Sequence, residues 1–295
     1  LRDHAPPFDT VRVSRHYVLR EWLPLLRKFA PQARLVFDTV DLHYLRERRG
    51  AELAGDAALE RASQRTRALE LDMIARSDAT LVVSEVERTL LAQDAPQARA
   101  DILSNLHSIQ GSGQPFEQRR DLVFVGGFRH PPNVDAVLWF AGEVFPLIRA
   151  QAPDIVFHCI GSETPEPIRG LASQPGVVVH GHVPDLDPYM DGCRIAVAPL
   201  RYGAGVKGKV NLSMAHGQPV VATACAVEGM HLRDGEDALV ADNAQGFADA
   251  VLRLYHDQAL WQTLARNGQA NVQRHFSLDA GRDVVRRVLL RQDEG

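Results

Sequence analysis

The 295-residue chain has few cysteines, and it has no long apolar segment. Cys159, Cys193 and Cys225 are far apart and form no CxxC pair, so we expect reduced thiols rather than disulfides or zinc ligands. No run of 18 apolar residues occurs, so no segment is predicted to span a membrane. A net charge of −4 argues against nucleic acid as a partner. These absences predict a cytoplasmic protein.

Lysine is rare everywhere except in one segment. The chain has 33 Lys and Arg residues, but lysine occurs only at positions 28, 207 and 209. Lys207 and Lys209 belong to the loop Gly203-Ala204-Gly205-Val206-Lys207-Gly208-Lys209. Glycine lets a backbone approach a ligand closely, and the helix pattern that follows offers unpaired N–H groups and a positive dipole end. The loop therefore predicts a phosphate site with both ammonium groups as contacts.

The segment 198–230 resembles the donor-binding half of family 4 glycosyltransferases, which have two Rossmann-like domains (the GT-B architecture). The matching residues are Met214-Ala215-His216-Gly217-Gln218-Pro219-Val220-Val221-Ala222-Thr223 and Glu228-Gly229, and the resemblance extends over about 121–276. It implies a metal-independent glycosyltransferase, without a cofactor, that moves a sugar from a nucleotide-diphosphate sugar to an acceptor hydroxyl. The implied acceptor is a glycan or lipid-linked glycan in surface polysaccharide assembly, at the inner face of the membrane.

Strand and helix patterns alternate along the chain, which favours parallel α/β domains. We expect a partial acceptor-side Rossmann-like domain over 1–110, a nucleotide-sugar-binding Rossmann-like domain over 111–276, and a helix over 277–295 that crosses back to the first domain. Residues 106–120 lose periodicity and are interpreted as the linker. Leu1–Thr10 lacks a strand followed by a glycine loop, so we expect the chain to enter its first domain partway or to have a reduced one.

Loops that leave parallel strands at their carboxyl ends predict the donor site. By resemblance, the backbone at Val183 would contact the nucleotide base, and Glu228 would bind sugar or ribose hydroxyls, a pairing that suits a carboxylate. The alternative is that the glycines only form tight turns. The predicted donor-binding residues are Gly126, Gly127, Arg129, Gly161, Val183, Gly203, Gly205, Lys207, Lys209, Glu228 and Gly229.

On the acceptor side, Asp41 and His43 follow an apolar strand pattern that ends at Thr39. Either side chain could be the general base that deprotonates an acceptor hydroxyl. The alternative is that they cap the next helix. With Lys207 and Lys209, which would stabilise the leaving diphosphate, they complete the predicted catalytic set.

The sequence also departs from the family pattern. Ala204 and Leu212 occupy positions where the family often has glutamates, and Gly127 occupies the position of a frequent arginine, for which Arg129 could substitute. These departures support a second hypothesis, an inactive nucleotide-sugar-binding or scaffold domain of a larger glycan-assembly protein. A third is another GT-B activity, such as a sugar-nucleotide epimerase.

No metal site is expected from the sequence. Asp185-Leu186-Asp187 has the DxD spacing, but it follows a proline at the start of a short helix, where capping is favoured. His180 and His182 have no third ligand nearby in sequence. Residues 16–30 are amphipathic; a sheet-covering helix is favoured over a membrane-surface helix, which keeps peripheral membrane contact as the alternative.

Overall fold

The computed structural model describes residues 8–111 and 113–290. The chain divides into two compact units, each assembled from segments that are distant in sequence. Unit 1 comprises Leu1–Asn105, Gly203–Val206 and Leu278–Gly295; unit 2 comprises Leu106–Tyr202 and Lys207–Ser277. In the part of the chain that the structure describes, no helix is long and apolar enough to cross a membrane.

Ten strands and thirteen helices are found in the described residues. The strands are β1 (Thr10–Ser14), β2 (Arg34–Asp38), β3 (Ala79–Val82), β4 (Ala100–Ile102), β5 (Arg120–Val125), β6 (Phe157–Ile160), β7 (Val177–Gly181), β8 (Cys193–Ala198), β9 (Val220–Ala222) and β10 (Leu239–Val240). The helices are α1 (His16–Phe29), α2 (His43–Ala54), α3 (Ala57–Ala75), α4 (Glu85–Asp94), α5 (Pro131–Trp139), α6 (Phe145–Gln151), α7 (Glu166–Gly170), α8 (Asp187–Gly192), α9 (Gly208–Ala215), α10 (Ala224–Val227), α11 (Ala244–His256), α12 (Gln258–His275) and α13 (Leu278–Val284).

Unit 1 is built on a parallel sheet with the strand order β1-β2-β3-β4. Side chains alternate between the two faces of a strand, and both faces of β2 are covered. Leu35 and Phe37 pack in a cluster with Leu19 of α1. Val36, on the opposite face, packs with Val288, in the turn of π-helix that follows α13. From Leu278 onward, the described part of the predicted last helix thus belongs to unit 1; residues 291–295 of that prediction lie outside the described residues.

Unit 2 is built on a parallel six-stranded sheet with the order β10-β9-β8-β5-β6-β7. From β5 the chain steps outward to β6 and β7, then returns to β8 on the other side of β5. The strand order therefore reverses between β5 and β8. The prediction of two parallel-sheet Rossmann-like domains of the GT-B type is confirmed by these two sheets.

A set of aromatic rings fills one side of unit 2. α5 continues through a turn of π-helix over Phe140–Val144 into α6, so the chain is essentially one continuous helix from Pro131 to Gln151. Phe140 lies in that turn, with its ring centroid 4.7 Å from Phe157 and 5.8 Å from Phe247. All three rings are fully buried. Each contributes roughly 2–3 kcal/mol through the apolar surface that it removes from water.

The segment predicted as a linker ends inside unit 2. Arg119 is fully buried, and its guanidinium donates hydrogen bonds to the carbonyl oxygens of Met190, Cys193 and His216, at 2.7, 3.2 and 3.3 Å. These carbonyls lie at the carboxyl ends of α8 and α9, where helices leave acceptors unpaired. Arg119, near the end of the predicted linker, therefore caps the carboxyl ends of two helices of unit 2.

Candidate functional site

The reversal of strand order places two loops of unit 2 side by side. β5 pairs with β8 through Leu122 and Ile195, and the chain leaves the carboxyl ends of these strands at Gly126 and Pro199. The segments that follow lead into α5 and α9. Ligands of open parallel α/β sheets bind at the carboxyl ends of the strands where the strand order reverses. The start of α9 is therefore the candidate site.

Lys209 is half-buried in the first turn of α9, and its ammonium group packs against other residues of unit 2. Its Nζ donates a hydrogen bond to Oδ1 of Asn133, on α5, and lies 4.3 Å from the ring centroid of Phe124. Among the described residues, no carboxylate forms an ion pair with it. Burial, and then the charge of Lys207, lower the pKa of Lys209 to about 7. The charged form of an amine is unfavourable where water is excluded and no counter-ion is present. A bound anion would stabilise that charged form, so Lys209 is a candidate binding residue.

Lys207 adds a second positive charge at the same helix end. It is the N-cap residue of α9 and is only 7% exposed. Its carbonyl oxygen accepts a hydrogen bond from the N–H of Val210 at 2.9 Å. The N–H groups that come before it in the first turn have no acceptor within the helix. Two ammonium groups and a helix N-terminus together suit a phosphate.

Gly126 and Gly161 are required by close packing beside this group. A Cβ on Gly126 would lie 2.8 Å from Nδ2 of Asn133 and 3.0 Å from Nζ of Lys209. A Cβ on Gly161 would overlap the carbonyl oxygen of Gly126 and lie 2.6 Å from the ring of Phe128. Both glycines thus allow the loops around Lys209 to approach each other.

The other predicted donor residues of unit 2 occupy more open positions. Gly127 is exposed, and Val183 is half-buried just beyond β7. The side chain of Arg129 is 84% exposed and forms an ion pair with Glu163. Glu228 ends α10 and is half-buried. Gly229 follows it with φ 71°, a conformation that favours glycine.

The first half of the glycine loop belongs to unit 1, although the sequence assigned it to the donor domain. Gly205 has φ 69°, and a Cβ there would lie 2.9 Å from Cβ of Asp41. The carbonyl of Gly203 accepts a hydrogen bond from Arg49 at 2.8 Å. Ala204 packs in an apolar cluster with Leu42 and its neighbours. Close packing within unit 1 thus accounts for Gly205, and an apolar contact explains alanine at the position where the family often has glutamate.

Asp41 and His43 lie at the start of α2 in unit 1, and both are buried. One carboxylate oxygen of Asp41 forms an ion pair with Arg46. Nδ1 of His43 lies 3.2 Å from the carbonyl oxygen of Asp41 and 3.5 Å from Oε1 of Glu70. Nδ1 of His16 lies 3.7 Å from the same oxygen.

Glu70 and His16 were missed by the sequence analysis, because they are far from His43 in sequence. Glu70 is completely buried in the middle of α3, and its two oxygens accept the backbone N–H groups of His43 and Tyr44. Burial raises the pKa of Glu70, but the nearby imidazoles of His16 and His43 and the N–H of Tyr44 outweigh burial, so its pKa lies below the ordinary value. The fold therefore favours the charged carboxylate.

Asn211 is a second residue that sequence reasoning missed. It lies near the start of α9 and is fully buried, and neither polar atom of its side-chain amide has a hydrogen-bond partner among the described residues. Buried amides are normally satisfied, so this side chain is a candidate for contact with water or ligand. Only its type, a polar residue among apolar helix positions, could have indicated it.

The residues that the sequence analysis considered as possible metal ligands all lie in unit 2. Oδ1 of Asp185 accepts the backbone N–H of Asp187 at 3.0 Å, which is the local bonding expected for capping. His182 is exposed, whereas His180 is hydrogen-bonded to His158 and Tyr189. These residues provide no shared ligand point.

Comparison with known proteins agrees with this fold. Residues 119–257 match the family model described as "Glycosyl transferases group 1". The structure of sucrose-phosphate synthase from Thermosynechococcus elongatus is similar with a TM-score of 0.76 and 18% identity, over 97% of this chain and 74% of that one. Anabaena HepE in complex with UDP and glucose has a TM-score of 0.71 and 14% identity, over 95% of this chain and 77% of that one.

A curated relative is an uncharacterized 44.6 kDa protein in the cps region of Klebsiella pneumoniae. It is 24% identical over 164 residues, which are 53% of this chain and 42% of that protein. The chain thus matches less than half the length of this relative. Residues 119–257 thus match group 1 glycosyltransferases in sequence, and the likeness to solved structures of the GT-B type concerns the fold.

Proposed function

We propose that the protein is a glycosyltransferase that moves a sugar from a nucleotide-diphosphate sugar to an acceptor hydroxyl. The observation that carries this proposal is the group formed by Lys207, Lys209 and the start of α9 at the strand reversal of unit 2. A diphosphate is the ligand whose charge this group fits. The group 1 family match over the same unit supports sugar transfer as the reaction.

In the proposed reaction the bond between the sugar and the diphosphate breaks, and negative charge develops on the leaving oxygen. Lys207 and Lys209 are already in place, so they stabilise that charge without reorganisation. Donor binding requires no metal in this proposal, because the two ammonium groups supply the positive charge.

On the acceptor side, Asp41 or His43 accepts the proton of the attacking hydroxyl. The proposed acceptor is a glycan or lipid-linked glycan of a surface polysaccharide, for which the relative in a cps region gives weak support. Peripheral membrane contact would involve α1, which exposes Trp22, Leu25 and Phe29 at 46–49% while burying Leu19.

A second candidate is a nucleotide-sugar-binding module without transfer activity. The apolar packing of Ala204 favours it, because a buried methyl group replaces a carboxylate that the family often uses. The two candidates share donor binding and differ only in turnover.

The test is calorimetric titration of the full chain with UDP, GDP and ADP and with their glucose conjugates, with chelator and then with magnesium. One nucleotide should bind under both conditions, and Lys207→Ala and Lys209→Ala should each weaken it about ten-fold or more, since a charged hydrogen bond contributes roughly 1.5–3 kcal/mol. Unchanged affinity in both variants, or binding only with magnesium, contradicts the lysine site. Binding without transfer to any tested glycan acceptor would select the binding module.

A further inference from the structure

We propose that His16, His43 and Glu70 of unit 1 form a binding site for one divalent transition-metal ion of the zinc type. Each residue offers one ligand atom, and these atoms lie within 4.8 Å of one another. All three residues are buried. The two histidines are the first residues of α1 and α2, and Glu70 projects from α3. Three separate helices therefore converge on one point.

The distances in this cluster fit a shared cation better than hydrogen bonds. Nδ1 of His43 and Nδ1 of His16 lie 3.5 and 3.7 Å from Oε1 of Glu70. A direct N–H···O bond is about 2.9–3.0 Å long, and two atoms bridged by a water are about 4.5 Å apart. Two ligands of tetrahedral zinc, with bonds near 2.0–2.1 Å, are about 3.3–3.4 Å apart. Both histidine-to-carboxylate distances are thus within a few tenths of an ångström of the spacing of two zinc ligands.

The hydrogen bonding of the cluster supports the same conclusion. Nδ1 of His16 is buried and has no hydrogen-bond partner among the described residues, so a ligand atom is left unused. Oε1 and Oε2 of Glu70 accept backbone N–H groups at 3.3 and 3.2 Å. Such outer bonds orient a carboxylate for a metal and are typical of metal sites. In the described part of the chain no lysine or arginine forms an ion pair with Glu70.

The donor set indicates which ion fits. Two imidazoles and one carboxylate suit zinc and its neighbours in the first transition series, whereas magnesium and calcium prefer oxygen ligands alone. Octahedral ligands would be closer together, about 3.0 Å apart, so the spacing favours tetrahedral zinc.

Unit 2 contains a matched cluster that lacks this arrangement. His158 and His180 are joined directly, Nδ1 to Nε2, at 2.9 Å, and Asp121 lies on the far side of His158, 3.5 Å from its Nε2. The three side chains lie in a row, with His158 between the other two, so they offer no common point for an ion. The same residue types thus provide an internal control.

Metal binding would affect the acceptor side of the proposed reaction. This consequence rests on the proposed function, whereas the metal site itself does not. With Nδ1 of His43 on the ion, the other ring nitrogen carries its proton and acts as a donor. The general-base role then falls to Asp41.

The test begins with the full chain stripped by chelator, returned to zinc-containing buffer and dialysed. We expect about one zinc per chain by elemental analysis. We expect zinc affinity to fall at least about 100-fold in each of His16→Gln, His43→Gln and Glu70→Gln. This is the upper end of the loss caused by removing a residue that only hydrogen-bonds to a metal ligand. His180→Gln should retain full binding. Cobalt(II) in place of zinc should give the visible absorption of a tetrahedral site.

A second measurement uses the unaltered chain, so it holds even where a variant fails to fold. Zinc should shift the ¹⁵N resonances of Nδ1 in two of the twelve histidines and should raise Tm. The proposal is overturned if the folded chain binds no zinc, if all three variants bind it as well as the unaltered chain does, or if His180→Gln abolishes binding. Failure here leaves the donor site untouched, because nucleotide affinity is measured separately.

Discussion

Glu70 in unit 1 and Lys209 in unit 2 are ionisable side chains that form no ion pair with an oppositely charged Lys, Arg, Asp or Glu among the described residues. Both have a pKa below the ordinary value, but the meaning is opposite. For an acid, a lowered pKa means that the fold favours the charged form; for a base, it means that the fold disfavours that form. Glu70 is therefore satisfied by unit 1, whereas Lys209 is not satisfied by unit 2.

The difference follows from what surrounds each group. Glu70 accepts two N–H groups at the start of α2 and faces two imidazoles. Lys209 has one amide oxygen and the face of one ring, with a like charge nearby. Strain of this kind in a fold marks a functional group more often than a structural one. The comparison makes Lys209 a candidate for binding an anion, whereas the surroundings of Glu70 favour a charged carboxylate, the form that could bind a cation.

The largest expected effect comes from disrupting the loops around Lys209. Gly161→Ala should destabilise unit 2 by roughly 3 kcal/mol, the upper end for overpacking, because the new methyl group overlaps Gly126 and Phe128. Chemical denaturation measures it. Gly142→Ala is the matched control, since nothing lies within 4 Å of a Cβ there, and it should be neutral or stabilising in its helix. Equal stability of the two variants would contradict the packing account.

Neutralising the two enclosed charges should change stability in opposite directions. Glu70→Gln should lower the free energy of unfolding by about 1–3 kcal/mol, because an NH₂ group would face a backbone donor. Lys209→Met should raise it by about 1–2 kcal/mol, because a similar apolar chain replaces an unpaired ammonium. Both are measured by urea unfolding in metal-free buffer. A destabilising Lys209→Met would break the comparison.

Stability without ligand should rise with pH on the alkaline side of neutrality. The pKa of Lys209 falls from 10.5 in the unfolded chain to about 7 in the fold. Between these pH values Lys209 binds more protons in the unfolded chain than in the folded chain. The contribution of Lys209 to the free energy of unfolding therefore increases by up to about 1.4 kcal/mol per pH unit, and it is constant below pH 7. The difference between the unaltered chain and Lys209→Met, measured at several pH values, isolates this contribution. A difference that does not change with pH would contradict the shift.

The smallest expected effect is at Asp185. Asp185→Ala removes a local hydrogen bond to the N–H of Asp187, so it should cost about 0.5–1 kcal/mol. It should leave nucleotide affinity unchanged with and without magnesium. Loss of a metal-dependent part of nucleotide binding would instead identify the DxD segment as a ligand pair.

Much of the fold follows from local sequence pattern. Apolar runs such as RIAVAPL predict strands buried on both faces, and β8 is buried along its whole length. The lysine-poor composition singles out Lys207 and Lys209, which the structure places at the start of α9 beside the strand reversal. Each of these signals lies within a few consecutive residues, so it can be recognised from the sequence alone.

The remaining features depend on contacts between distant segments. Gly205 is a glycine because Asp41 approaches it, which no local pattern reveals. His16, His43 and Glu70 come from three helices, and Asn133 meets Lys209 from another helix. The sequence analysis gave no bounds for α2, which ends at Ala54 and is followed by Gly55 as its C-cap, with a φ of 62° that suits glycine.

Proton uptake on nucleotide binding tests the central claim most directly. At pH 8, Lys209 is mostly neutral in the unliganded protein, since its pKa is about 7, and a bound diphosphate restores its charge. Calorimetric titration in buffers of different ionisation enthalpy should show nearly one proton taken up per nucleotide diphosphate bound, and affinity should fall as pH rises above 7. Lys209→Met should bind at least about ten-fold more weakly, without uptake. Tight binding with no proton uptake, unchanged in Lys209→Met, would contradict the account.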